Sequence, residues 1–348
     1  MNERFQALVH GAAFALILGW VLYIGRDIFV PIVFSVLVVY VIVGLTRLLG
    51  SVPVLGRLLP LQVRHGLSIL VIASALVLVV YLIVANKDSV AALGPQYQES
   101  LLATIQKAAV FLRIENEPTW TSLRQDLLAQ VNMQRLVGST LASVSSILLS
   151  FIVVFLYATF LLVERHAFAD KVANISTDPR SIARIRQLTL DINARIGSYL
   201  ALKTFIGLLL GAVSWVAMAF VGLEFAGFWA VLTALLNYVP YIGSALGVVF
   251  PVLMAIVQFG NPNDVLAVLV PLVVIQFVIG NFLDPYIMGN SLNLSPFTIL
   301  VSLAVWSAMW GIAGAFLAVP ITAIMAIVFS EFAGTRPIAV LLSRNGKL

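Results

Sequence analysis

Few residues in this chain can do chemistry, and most of them stand in or beside long apolar runs. Asp284, Glu224 and Lys203 are ionisable groups in that setting. An ionisable side chain at membrane depth is costly and is a functional candidate by default. Asp284 follows Asn281 and precedes Pro285 where an apolar run ends. It can bind a cation or carry a proton, or it can be a span-end carboxylate in water. Glu224 lies beside Gly222 and Gly227, where a solvated turn is the plainer account. Lys203 stands about one turn inside its run; it can snorkel to the surface or pair with an acid. Asn237, Tyr238, Tyr241 and Ser244 offer neutral hydrogen-bonding groups suited to a polyhydroxylated ligand, and Gln276 and Asn281 can face them. Trp306 and Trp310 can stack on a sugar-like ring or anchor at an interface. His10, His65 and His166 are scattered and show no metal-ligand spacing.

This inventory argues against an enzyme. A serine protease motif G-x-S-x-G and a zinc motif H-E-x-x-H are both missing from the sequence, and Asp284 has no partner aspartate in a matching motif. A P-loop is missing too, so no nucleotide drives the protein. Energy would come from an ion gradient or from the solute's own gradient. No cofactor and no metal are expected.

The elements that must position these groups are membrane helices. The chain has 348 residues, of which 61% are hydrophobic and only 10% charged, with mean hydropathy +1.06. Soluble domains average roughly 25% charged. The fold class is therefore an all-α polytopic membrane protein in a lipid bilayer. The net charge of +5 sets topology rather than binding nucleic acid. Apolar runs at 5–25, 28–48, 67–86, 141–163, 199–222 and 265–283 suit full spans. The first run shows no small-residue cleavage site and reads as a retained span. Between 87 and 140, charges interrupt two amphipathic patterns divided by Pro118, which predicts a small extracytoplasmic helical segment. From 178, Asp178-Pro179 reads as a helix start. Ile182, Ile185, Leu188 or Thr189, Ile192 and Ile196 then form a stripe opposite arginines, predicting a helix on the membrane surface.

Two further runs are too long for a span. Residues 225–258 and 296–330 number 34 and 35, roughly 50 Å each as one helix against a core of about 30 Å. Each carries residues that break helices: Pro240 and Gly243 in the first, Gly311, Gly314 and Pro320 in the second. These five are the predicted hinges. Pro240 lacks an N–H, and Gly243 permits backbone angles that other residues avoid. Two architectures follow. One has six full spans plus two re-entrant or broken helical hairpins, their arms meeting near Asn237–Gly243 and near Ser307–Gly314. The other has eight spans, with both long runs tilted and kinked. The short first arms, 226–238 and 297–308, favour hairpins. A broken helix at membrane depth points to a transport site. The rival from another class is a channel or structural scaffold, which would not couple to a gradient.

Basic residues set the orientation. Fourteen of the twenty Lys and Arg fall at Arg4, in the 47–66 loop, in 164–203 and in the tail. Both termini are expected in the cytoplasm and the 87–140 segment outside. The organisation reads as three N-terminal spans (1–86), the outer segment (87–140), a fourth span with a basic helix (141–198), a transport core (199–333) and a cytoplasmic tail (334–348).

Three stretches carry a family resemblance. Gly280-Asn-Phe-Leu-Asp-Pro-Tyr-Ile-Met-Gly-Asn-Ser-Leu-Asn-Leu-Ser-Pro296 resembles the signature of the autoinducer-2 exporter family, also called the PerM-like permeases. Leu303-Ala-Val-Trp-Ser-Ala-Met-Trp-Gly-Ile-Ala-Gly-Ala-Phe-Leu-Ala-Val-Pro320 is similar to that family's last element, and Asn237-Tyr-Val-Pro-Tyr-Ile-Gly243 to its middle motif. Tyr286, Asn290 and Gly280 depart from the pattern, since members often carry basic residues at the first two places and an acid near the third. The resemblance implies a bacterial inner-membrane transporter that assembles as a homo-oligomer, with a pentamer as one arrangement. It implies export of a small polar solute such as autoinducer-2. It also implies, for some members, antiport of sodium or lithium against protons.

Overall fold

A computed structural model describes residues 3–51, 59–74, 77, 81, 150–164, 167, 171, 178–288 and 292–346. The expected outer segment at 87–140 lies outside the described residues, as does half of the third span. What is described is helical almost throughout: α1 (Glu3–Ile24), α2 (Arg26–Ser51), α3 (Leu61–Ser74), α4 (Ser150–Glu164), α5 (Pro179–Val221), α6 (Ala226–Leu236), α7 (Ile242–Phe259), α8 (Pro262–Val278), a π-helical turn (Ile279–Leu283), α9 (Asp284–Met288), α10 (Pro296–Glu331) and α11 (Arg336–Leu342). Among the described residues, five stretches are long and apolar enough to cross a bilayer by length and composition. The all-α polytopic membrane class is therefore the fold found.

The chain divides into two compact units. One comprises residues 1–64, 150–201 and 290–348; the other comprises 65–149 and 202–289. In the first unit α1 and α2 meet at the tight polar break expected at Arg26-Asp27. Tyr40 on α2 donates its hydroxyl to Asn193 on α5 at 2.6 Å. Gly44 brings α2 close to α5, since a Cβ there would stand 3.3 Å from that of Ala201.

The basic helix differs from its expected form. Asp178 does cap it, accepting from the Arg180 and Ser181 amides at 3.2 Å and the Ser181 hydroxyl at 2.8 Å. The Ser181 hydroxyl, then those two amides, hold the Asp178 carboxyl below its ordinary value. The Ile182 to Ile196 stripe is turned inward, and Arg184, Arg186 and Arg195 are exposed. Yet the helix does not end before the fifth span. Pro179–Val221 is one helix of 43 residues, about 65 Å long. Gly197 alone is too weak a breaker, costing roughly 1 kcal/mol within a helix.

Both long runs fold back on themselves as helical hairpins. In the second unit, α6 and α7 lie antiparallel around a tip at 237–241. The Thr233 hydroxyl donates to the Gly247 carbonyl at 3.1 Å, and Trp229 stacks on Phe250 at 6.5 Å. Gln258 closes the base: its Oε1 accepts from the Glu224 amide at 2.8 Å, and its Nε2 donates to the Gly222 carbonyl at 2.9 Å. In the first unit, α10 reverses at Gly311, whose φ of 62° and ψ of −140° suit only glycine. Trp306 Nε1 donates to Thr322 Oγ1 at 3.3 Å, although 16 residues along a straight helix would separate them by about 24 Å. The base of this hairpin is tied by the Leu294–Ser343 bridge, with the Ser295 amide on the Leu342 carbonyl at 3.0 Å.

Gly243 has a different task from the one its type suggested. Its φ is not positive; Tyr241 carries the unusual angle instead, with φ 61° and ψ −58°. Gly243 is needed because a Cβ there would collide with the Leu236 carbonyl. Gly314 meets the Trp306 carbonyl in the same way. Pro320 sits buried within the second arm of α10. We expect Gly243→Ala to lower the thermal midpoint of the purified protein, an overpacking cost of about 1–3 kcal/mol. Gly227→Ala, where nothing lies within 4 Å of the new carbon, should leave it unchanged or raised. Equal midpoints for the two variants would show that the arms do not meet at Gly243.

Candidate functional site

The second unit gathers polar side chains at the hairpin tip. α5 and α6 run antiparallel and approach closely because Gly207 and Gly211 carry no side chain. A Cβ on Gly207 would stand 3.0 Å from the Ala234 carbonyl, and one on Gly211 would stand 2.9 Å from the Ala234 Cβ. This is small-residue packing of the kind membrane helices use in place of a hydrophobic drive. It brings the tip level with Thr204, whose hydroxyl is 2.5 Å from that of Tyr238. The Asn237 amide lies at Gly207, with Nδ2 3.7 Å from where a Cβ would be.

The tip is strained. The Ile242 amide donates to the Pro240 carbonyl at 2.7 Å, closing a three-residue turn centred on Tyr241. With positive φ at its centre, this is the rarer and strained form of γ-turn. Such angles persist only when surrounding structure imposes them, and they cluster at functional sites. Tyr241 is exposed, and Ser244 in the first turn of α7 donates its hydroxyl to the Tyr241 carbonyl at 2.8 Å.

A second polar element arrives from α8. The helix widens into a π turn at Ile279–Leu283, and Asp284 follows directly. Widenings of this kind occur mostly at functional sites. Asp284 Oδ2 accepts from Lys203 Nζ at 2.9 Å, and the two side chains are only 22% and 7% exposed. Of the two sequence readings of Lys203, pairing with an acid is the one found. Ile206 and Leu210 pack against Ile279, with Leu283 and Ile287 beside them. At about 100° per residue, this face of α5 and the Gly207–Gly211 face, one residue on, are about 100° apart. Lys203 falls between them, in the wedge where the hairpin tip and α9 both flank α5.

Two atoms in this wedge have no hydrogen-bond partner among the described residues although both are buried: Asp284 Oδ1 and Asn237 Nδ2. Buried polar groups are normally paired, so each is an open valence. The other expected site residues lie apart. Glu224 is exposed at the hairpin base, at the far end of α5 from Lys203, some 27 Å along the helix to Val221. Asn281 is exposed and donates to its own helix at the Phe277 carbonyl, 3.0 Å away; Gln276 is half-buried. Trp306 and Trp310 belong to the first unit and are buried there. Trp310 Nε1 donates to the Leu22 carbonyl at 3.0 Å. Among the described residues no three of His, Asp and Glu gather as metal ligands. Sequence reasoning missed Thr204, Gly207 and Gly211. The spacing Gly207-Leu-Leu-Leu-Gly211 in an apolar run is a legible signal for close helix packing.

Helices long and apolar enough to cross a bilayer, a broken helical hairpin and a buried ion pair one residue from its contact with α5 are features of a polytopic, transporter-like membrane protein. Comparison with known proteins makes the class specific: residues 12–334 match the family model described as AI-2E family transporter, and the chain belongs to that family. It is 30% identical over 302 residues to the AI-2 transport protein TqsA of Escherichia coli, covering 85% of this chain and 86% of that one. YhhT of the same species is 27% identical over 317 residues, 87% of this chain and 88% of its own. A relative from Borreliella burgdorferi is 37% identical over 194 residues, 56% of this chain and about half of that one, 53%.

The ion pair should behave as a unit. Removing one partner leaves a buried charge and costs about 3–5 kcal/mol, whereas replacing both with apolar groups is often neutral. We expect Lys203→Met and Asp284→Leu each to lower stability in detergent, and the double variant to recover most of the loss. Additive losses in that cycle would mean that the two side chains do not interact.

Proposed function

We propose that this chain moves a small polar solute of the autoinducer-2 type out of the cell, with the tip of the α6–α7 hairpin as its gate. The observation that carries this reading is that the strained tip meets α5 at Thr204, the residue next to Lys203 of the buried Lys203–Asp284 pair. Asn237, Tyr238, Pro240, Tyr241, Gly243 and Ser244 form or brace the solute-facing tip. The AI-2 transport protein TqsA, similar over most of both chains, supports the solute class.

In this reading both hairpins are re-entrant. With 11 residues, α6 is about 16 Å long, half of a 30 Å core. By the distribution of Lys and Arg, both termini are cytoplasmic in the bacterial inner membrane. The α6–α7 hairpin then enters from outside and the α10 hairpin from inside, an inverted arrangement frequent among transporters. The transport core is 199–333, carried by the spans of 1–86 and 141–163. The 87–140 segment lies outside and supports a homo-oligomer. Transport draws on an ion gradient or on the solute's own gradient. A second reading, sodium or lithium exchange against protons, is favoured by the buried Lys203–Asp284 pair, since such pairs mark ion and proton paths.

Two measurements test this. Single cysteines introduced as Asn263→Cys and Asn290→Cys in the cysteine-free chain should label from outside and inside respectively; the reverse pattern sinks the re-entrant topology. In proteoliposomes, autoinducer-2 flux should saturate and should be lost in the double variant Pro240→Ala/Gly243→Leu while the protein stays inserted. Sodium–proton exchange without autoinducer-2 flux would favour the second reading.

A further inference from the structure

We infer that the Lys203–Asp284 pair is the charge-selectivity element of the hairpin-tip site: it admits neutral hydroxylated solutes and rejects ionic ones. This rests on the reading of that tip as the solute site. Lys203 and Asp284 together contribute no net charge, and Glu224, the nearest ionisable residue along the connection to α6, lies at the other end of the unit. The pair itself is polar yet carries no net charge.

Its open valences are specific. Asp284 Oδ2 is held by Lys203, leaving Oδ1 buried with no partner among the described residues. A carboxylate oxygen accepts hydrogen bonds and donates none. Asn237 Nδ2, also buried and without a partner among the described residues, can donate two. Gly207 sits one turn from Lys203 on α5, so this amide lies roughly 5–6 Å further along the same helix. The site thus offers a charged acceptor beside Lys203 and a neutral donor beside Gly207, one turn further along α5, the complement of a solute whose hydroxyls both donate and accept. Hydroxyl donation to Oδ1 is a charge-assisted bond that adds no charge.

Ions fare differently. A phosphorylated solute would bring anionic oxygens against Oδ1 away from bulk water, where like charges cost several kcal/mol. A cation would compete with the Lys203 ammonium, which already occupies the carboxylate from 2.9 Å. Neutralising Asp284 alone leaves the ammonium uncompensated and turns the same wedge into an anion site.

The test is equilibrium binding of labelled D-ribose and ribose 5-phosphate to the full chain in lipid nanodiscs. These probes share a ring and differ in charge. Wild type should bind ribose saturably and prefer it over ribose 5-phosphate by at least about tenfold, the ratio that 1.4 kcal/mol gives. Asp284→Asn should reverse that order. If that variant does not fold, Lys203→Met/Asp284→Leu decides instead: it stays neutral, so it should still reject the phosphate but lose ribose. Absence of saturable ribose binding by wild type overturns the inference. So does an unchanged preference in Asp284→Asn, or phosphate binding by the double variant. Loss of autoinducer-2 flux in wild type, with this selectivity intact, would fault the transport reading and leave the charge rule standing.

Discussion

The Leu236 carbonyl occupies the space that any side chain on residue 243 would need. From this contact the rest of the second unit can be followed. It pins the end of α6 to the first turn of α7 and leaves residues 237–241 to reverse the chain. So short a reversal forces Tyr241 to positive φ and closes the γ-turn from Pro240 to Ile242. That turn presents Asn237 and Tyr238 on the side facing α5, where Gly207 leaves room beside Asn237 and Gly211 lets α6 approach at Ala230 and Ala234. The polar groups of the tip then meet Thr204 and flank Lys203. Remove the space at residue 243 and the tip has no reason to stand where it does.

The first unit solves the same problem with other residues. In α10 a single glycine, Gly311, turns the chain, and Gly314 takes the Trp306 carbonyl. Both hairpins place a glycine opposite a carbonyl near the end of the first arm. Both are also tied at the base, one by the Gln258 side chain and one by backbone bonds from 294–295 to 342–343. The reason is common to all structure in lipid. Backbone polar groups freed by a break must be met by protein, since hydrocarbon offers no partner. Tight tips and tied bases satisfy them within the hairpin.

The ion pair depends on this scaffold but follows a different rule. Two charges buried together gain little over a well-packed apolar pair, so their presence is weak support for stability and a better pointer to function. The π turn before Asp284 is consistent with that. It departs from regular helix geometry immediately before the carboxylate, while its ends Ile279 and Leu283 still pack with Ile206 and Leu210 of α5. Glu224 shows the contrast: it is a turn residue in an exposed position, whose backbone amide closes the hairpin base.

The membrane class, the positions of the breaks and the capped start at Asp178 were legible in the sequence by itself. They depend on composition, run length and the local chemistry of Asp, Pro and Gly, which act within a few residues of chain. The ionisable candidates were legible too, because a charge in an apolar run stands out wherever the fold puts it. What each one does was not. Lys203 and Asp284 are 81 residues apart, and only the packing of α5 against α9 makes them a pair. Thr204 looked like any span hydroxyl until the hairpin tip reached it. Gly243 was marked by its type, but its reason was steric, set by a carbonyl seven residues earlier, and the strained angle fell on Tyr241. Trp306 and Trp310 had the chemistry to stack on a ring, yet tertiary contacts drew them into the core of the other unit. One-dimensional order records which groups are available; the close approach of backbones at small residues decides which of them meet.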